Sequence, residues 1–232
     1  MSMVLSVSHG AGRDRPVHLS VIAGASDPKA LSDISVRIRA GKGETIFSDG
    51  EEAAYSYKVV SGIVRLSKYT QDGRRQIADF MLPGDHFGFM ETERHSFTAE
   101  AVSDAIILAY PKSQLERLGE MIPTFRKYVL TLLSNSLLTA RRHLVVLGRQ
   151  SAKERVVSFF LRLAERTDVG AGDRLDLPMS RQDIADHLGL TIETVSRTIS
   201  ELKRDGLIVV PNLTQIILKN MAALRALTEG AE

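Results

Sequence analysis

The chain reads as an α+β protein in three parts: an N-terminal β-roll, one long helix, and a helical corner closed by a hairpin. Three observations carry this. Residues 31–111 alternate short β-prone runs with glycine-bearing turns. Between Pro123 and Leu147 there is no internal glycine or proline. Residues 180–206 hold two short runs with apolar residues at helical spacing, joined at Gly189. The corresponding boundaries are 28–122 for the roll, 123–148 for the helix and 149–232 for the corner and hairpin. Residues 1–27 have little periodicity, a composition that allows disorder.

The strands come first. Ser35–Arg39 precedes Gly41-Lys42-Gly43, Tyr55–Ser61 precedes Gly62, and Ile63–Tyr69 precedes Gln71-Asp72-Gly73. Asp72-Gly73 between two β-prone runs predicts a hairpin. Gln76–Leu82, Phe97–Val102 and Ala105–Tyr110 continue the series. Strands at such regular spacing build a small barrel, sandwich or roll.

The long helix carries Leu130, Leu133, Leu137, Ala140, Leu144 and Leu147 at spacings of 3-4-3-4-3. That is a heptad seam, the pattern of a dimerisation helix. An ordinary core stripe packed within one chain has the same residues, so both readings stand. Phe125, Tyr128 and Val129 form a second face, expected against the roll. Gly148 is expected to end the helix. A further helix is predicted over Lys153–Arg166.

The corner follows. Ser180 with Asp183 three residues on is a capping box. It opens a short helix with Ile184, Ala185 and Leu188 inward. Gly189 supplies the tight turn, and Thr191 caps a second helix running to about Arg204. Val195, Ile199 and Leu202 face inward on that helix, so Glu193, Ser196 and Arg197 face outward near its start. A helix-turn-helix offers this end of its second helix to base edges. Arginine grips guanine O6 and N7, and glutamate accepts from cytosine N4. A solvated Glu–Arg pair at i,i+4 or a corner of no DNA role would show the same spacing. After Gly206, Leu207–Val210 and Thr214–Leu218 form a hairpin about Pro211-Asn212, the wing of a winged helix. Ser180, Thr191, Thr194, Lys203, Arg204 and Lys219 are candidate contacts to the phosphate backbone.

Bulk properties exclude more than they identify. The chain has 232 residues, 44% apolar, and a net charge of +2. Residues 149–232 carry twelve basic and twelve acidic side chains, so charge alone gives no case for nucleic acid. There is no cysteine, which excludes disulfides, thiolate catalysis and thiolate-bound metal. No apolar run reaches 18 residues. The N-terminus is polar and broken by Gly10, Gly12 and Pro16, so a cytoplasmic protein without a membrane partner is expected. No carboxylate cluster, Ser–His arrangement or phosphate loop supports an enzyme, and no metal or cofactor is expected.

These features resemble the CRP/FNR superfamily of bacterial transcription regulators from about Leu31 to Ala226. The motifs are Pro83-Gly84-Asp85 with Phe87-Gly88, the run from Leu175 to Ala185, and Gly189-Leu190-Thr191-Ile192-Glu193-Thr194-Val195-Ser196-Arg197. The resemblance implies a cyclic-nucleotide-binding-like jelly roll, a dimerisation helix and a winged helix-turn-helix. It also implies a homodimer on duplex DNA with RNA polymerase as a partner. Glu-x-x-Ser-Arg is similar to the FNR and FixK branches; Ile192 stands where the CRP pattern has arginine. The implied site is TTGAT, four base pairs, ATCAA. Glu193 and Arg197 would take its G·C pair and Ser196 the outer thymine.

Departures matter equally. In the CRP pattern a Gly-Glu pair and a later arginine hold cyclic AMP. Here Phe89 follows Gly88, and His95 precedes Ser96, so no cyclic nucleotide is expected. The cysteines of an FNR cluster are absent. His86 and His95 are haem ligands in name only, and a core or surface histidine is the plainer reading. What remains is the FixK-like pattern, without a recognised effector. It implies an activator of genes for microaerobic respiration, denitrification or nitrogen fixation. The competing hypothesis is a cyclic-nucleotide-like sensor with a small-molecule or haem effector.

Overall fold

The computed structural model describes residues 28–89 and 93–229; the segment expected to allow disorder, 1–27, lies outside the described residues. In chain order the elements are α1 (Pro28–Ile34), β1 (Val36–Ala40), β2 (Thr45–Phe47), β3 (Tyr55–Ser61), β4 (Val64–Tyr69), β5 (Arg75–Met81), β6 (His86–Phe87), β7 (Thr98–Ala101) and β8 (Ala105–Pro111). Then come α2 (Lys112–Met121), α3 (Pro123–Arg149), α4 (Ala152–Arg166), β9 (Arg174–Asp176), α5 (Arg181–Leu188), α6 (Ile192–Arg204), β10 (Ile208–Asn212), β11 (Gln215–Leu218) and α7 (Met221–Glu229).

Two antiparallel four-stranded sheets, ordered β1-β8-β3-β6 and β2-β7-β4-β5, make the roll. Val59, Val64, Phe87, Ala99 and Ile107 fill its interior. The Asp72-Gly73 turn closes the β4–β5 hairpin, where the Thr70 N–H reaches the Arg74 carbonyl at 2.9 Å. A third sheet, β10-β11-β9, belongs to the C-terminal part. The α+β architecture is the expected one.

The second apolar core is not confined to one part. It joins Phe160, Leu163, Ile184, Leu188, Val195 and Leu202 of the helices to Ile77, Phe80, Leu82 and Val102 of the roll. Burial of this size is worth on the order of 2 kcal/mol per large side chain.

Several expectations need correction. The strand reading from about Leu31 starts too early, since α1 runs to Ile34, and the helix α2 after Pro111 was not foreseen. No described α2 residue is fully buried, and Gly119 interrupts its pattern, so its sequence signal is weak. Gly148 does not end the long helix. A Cβ there would meet nothing within 4 Å, so glycine is merely accommodated, and α3 runs to Arg149. The chain leaves the helix at Gln150, which turns extended ahead of the Ser151 cap of α4. The wing turns at Leu213-Thr214 rather than at Pro211-Asn212. Pro211 lies within β10 where the register shifts, so its missing N–H costs no regular ladder bond. Asn212 Oδ1 accepts from the Thr214 N–H at 3.0 Å and makes the turn.

Candidate nucleic-acid interface

The corner is built from its caps inward. Ser180 Oγ accepts the Asp183 N–H at 3.0 Å, and Asp183 Oδ2 accepts the Ser180 N–H at 3.0 Å. The box is therefore complete with aspartate, shorter than the usual glutamate. Gly189 ends α5 in the left-handed region, at φ 62° and ψ 40°. A side chain there would be strained by about 1–2 kcal/mol. Two residues later Thr191 Oγ1 accepts the Thr194 N–H at 3.3 Å and starts α6. Ala185, Leu188, Val195, Ile199 and Leu202 are buried between the helices.

Burying that stripe leaves Glu193, Ser196 and Arg197 exposed together on the opposite face of α6. No ion pair joins Glu193 to Arg197 among the described residues. The arginine fork is thus uncommitted, with all its donors available. The Glu193 carboxyl is held below the usual range by its own backbone N–H and by the Thr191 hydroxyl. It stays an acceptor-only carboxylate at neutral pH, as a contact to an amino group requires.

The candidate backbone contacts lie around this face. Thr191, Lys203, Arg204 and Lys219 are exposed, and Thr194 is half-buried. Ser180 is exposed, yet its hydroxyl already donates to Asp183 at 2.8 Å. Its N–H is likewise taken by Asp183 and its carbonyl by the Ile184 N–H. Lys203 and Arg204 also sit in the last turn of α6, where cations favour the helix dipole.

The seam of α3 emerges on one side. Leu130, Leu137 and Leu144 are 57%, 49% and 67% exposed. Ala140 is exposed as well, while Leu133 and Leu147 are half-buried. Leu138 and Val145, which the heptad pattern did not single out, widen the exposed stripe. Phe125 and Tyr128 are buried on the other side and Val129 is half-buried, so the helix has two apolar faces.

In the roll, Gly88 has φ 69°, and a Cβ would come within 2.9 Å of the Tyr57 ring. His95 is 2% exposed and stacks on Phe47 at 3.5 Å between ring centroids. The position where the resemblance expects a phosphate-binding arginine thus holds a ring packed against aromatic core. His86 is half-buried, and its Nε2 lies 3.0 Å from the Tyr128 hydroxyl.

Sequence reasoning missed a set of polar contacts behind the corner. His187 on α5 is fully buried. Its Nδ1 lies 3.1 Å from the Ile77 carbonyl of β5, and Arg162 Nη2 lies 2.6 Å from its Nε2. His143 of α3 stacks on it at 4.3 Å. With arginine donating to Nε2, the ring proton sits on Nδ1 and is given to Ile77. Arg65 and Arg75 reach α5 from the roll. Arg166 pairs with Asp85. Arg181, the first residue of α5, keeps a buried Nη1 with no partner among the described residues.

Burial holds His187 neutral, pushing its pKa well below 6.5, helped by nearby Arg162 and His143. Burial, then Lys58, pushes His86 down to about 3. The unfolded chain takes these protons near pH 6.5. Below that pH it binds more protons than the folded chain, so stability rises with pH in this window. The contribution is complete above about pH 6.5 and is lost as pH falls toward the folded values. Each histidine adds a slope approaching ~1.4 kcal/mol per pH unit. Melting temperature is expected to drop between pH 7 and pH 5, and His86→Gln to flatten that drop in a thermal scan.

Residues 37–121 match the profile of the cyclic nucleotide-binding domain, and residues 154–227 that of the Crp-like helix-turn-helix domain. The chain is 42% identical over 188 residues to the nitrogen fixation regulation protein FixK of Bradyrhizobium diazoefficiens, covering 80% of this chain and 79% of that protein. It is 45% identical over 185 residues to the FixK of Azorhizobium caulinodans, covering 78% and 75%. The structure of FixK2 from Bradyrhizobium japonicum is similar at a TM-score of 0.79 and 38% identity, covering 84% of this chain and 97% of that one. None of the α-helices among the described residues is long and apolar enough to cross a membrane.

Proposed function

Because the chain belongs to the CRP/FNR family of transcription regulators, on its FixK-type branch, we propose that it acts as a homodimeric activator on a palindrome resembling TTGAT, four base pairs, ATCAA. The observation that carries this is the exposed, outward triplet Glu193, Ser196 and Arg197 at the start of α6, with the Arg197 guanidinium unpaired among the described residues. Arg197 grips the guanine of each half-site and Glu193 accepts from its paired cytosine. Ser196 meets the outer thymine. Backbone N–H groups at the starts of α5 and α6, with Thr191, Thr194, Lys203, Arg204 and Lys219, take phosphates. The α3 seam pairs the two copies through Leu130, Leu133, Leu137, Ala140, Leu144 and Leu147. That places two recognition helices about one helical turn apart. RNA polymerase is the onward partner. The relatives' names point to genes of nitrogen fixation, and the family resemblance to microaerobic respiration and denitrification.

The test is binding to this palindrome against a scrambled duplex across a salt series. Affinity is expected to fall on the order of 10³-fold or more from 50 to 200 mM salt as phosphate contacts release counterions. A weak slope together with equal affinity for the scrambled duplex would oppose the reading.

One observation favours a second reading, a small-molecule effector. A cavity of about 360 Å³ lies between the roll, α2 and α3, lined among others by Ser56, His86, Phe89, Tyr128 and Leu132. That volume suits a small ligand. Cyclic AMP and cyclic GMP are expected to leave the melting temperature unchanged, since Phe89 and His95 replace the groups that would hold ribose and phosphate. A shift of several degrees with either nucleotide would favour the second reading.

A further inference from the structure

Within the polar part of the contact between the roll and the corner, one carboxylate is used twice. Asp183 Oδ2 completes the cap of α5 through Ser180. Asp183 Oδ1 accepts from Arg75 Nη2 at 2.5 Å and from Arg65 Nη1 at 3.1 Å. Arg75 Nε also reaches Asp186 Oδ2 at 2.7 Å, and Arg65 Nη2 is tied to Glu100 at 2.5 Å. Both arginines and both aspartates are largely shielded from water, with side-chain exposures of 18% or less. Shielded, multiply hydrogen-bonded ion pairs are directional in a way that apolar packing is not.

The consequence follows from the corner's construction. Helices α5 and α6 share one buried stripe and are joined only by the three residues Gly189-Leu190-Thr191, so they move as a unit. Fixing α5 on β4 and β5 therefore fixes α6 as well. The contact leaves Glu193, Ser196 and Arg197 exposed, so the docked arrangement is one in which the reading face is free. A latch that blocked DNA would cover that face. In a two-fold dimer the distance between the two recognition helices depends on where each corner sits on its own roll.

We propose that Arg65 and Arg75 are positioning residues for DNA reading: through Asp183 and Asp186 they hold α5, and so set the separation of the two recognition helices. They touch no base. They set which spacing between half-sites is accepted, and the proposal rests on the dimeric DNA-reading assignment above. Removing them loosens the corner without altering the Glu193–Arg197 face.

Two measurements test this. The first needs no DNA. The chain has no cysteine, so cysteines introduced at exposed Gln71 and Ser200 alone carry spin labels. Labelled chain is diluted into excess unlabelled chain, so that each dimer reports one internal distance. The wild-type distribution is expected to be narrow, the Arg65→Ala/Arg75→Ala variant broader, and Arg75→Lys close to wild type. An unchanged width in the double variant overturns the proposal, because the apolar contact of Ile77 and Phe80 would then suffice. The second uses full-length protein on palindromes with three, four or five base pairs between half-sites. The double variant is expected to bind the preferred spacing at least tenfold more weakly and to discriminate less among spacings. It should keep wild-type discrimination at the G·C pair. Tighter binding by the variant would mean the contact is a latch, and it too overturns the proposal. Wild-type protein without any spacing preference would instead overturn the dimeric reading, leaving the distance measurement to decide the clamp.

Discussion

Replacing Arg197 with alanine is expected to weaken binding to the palindrome by about 1–3 kcal/mol per half-site, and to erase preference at its G·C pair. The reason is geometric. Arg197 lies one turn after Glu193 on the exposed face of α6, and no carboxylate of the described residues ties up its guanidinium. Five donors in a fixed fork match guanine O6 and N7, which no lysine or glutamine reproduces. Arg197→Lys is therefore expected to keep the charge, and much of the nonspecific affinity, but not the discrimination. Titrations against duplexes carrying each base pair at that position measure both effects. A variant that weakens binding to all duplexes equally would make Arg197 a phosphate contact instead.

Leu137→Glu or Leu144→Glu is expected to give monomers and to lose palindrome binding. The seam presents exposed leucines that a single chain leaves in water. A second copy would bury them, and a carboxylate placed there would be buried without a partner at a cost of several kcal/mol. Linking two half-site readers is worth on the order of 10²–10⁴ in affinity, and that factor disappears with the dimer. Light scattering and a shift to half-site affinity report the change. Both variants should keep the wild-type melting behaviour of the corner, since neither leucine belongs to the buried core. A Leu137→Glu protein that remains dimeric would place the dimer contact elsewhere than this seam.

What was legible in the sequence was local. Ser180 with Asp183, Gly189, and Thr191 before Thr194 each specify a cap or turn within a few residues, and each is found as read. Tyr55–Ser61 is a strand for similarly local reasons, a β-prone run of aromatic and β-branched residues closed by Gly62. Helix α2 escaped because Gly119 and the charged Glu116-Arg117 pair interrupt its apolar pattern. The wing turn was misplaced by one residue pair because Pro211 was read as a turn former. The register shift beside it makes Pro211 harmless within the strand. The contacts of Arg65 and Arg75 were not legible at all. They span 118 and 108 residues along the chain, and nothing near either arginine marks it as different from a surface cation. His187 was hidden likewise: its burial comes from three other elements, not from its neighbours in sequence. The candidate site thus divides in two. Its reading face follows from helical period, whereas its attachment to the roll required the fold.

Selection of binding sites from a random duplex pool bears most directly on the central claim that α6 of a two-fold dimer reads specific bases. The expected outcome is enrichment of an inverted repeat of TTGAT type with a four-base-pair spacer and an invariant G·C pair in each half. Enrichment of a lone half-site, or of no common sequence, would contradict it.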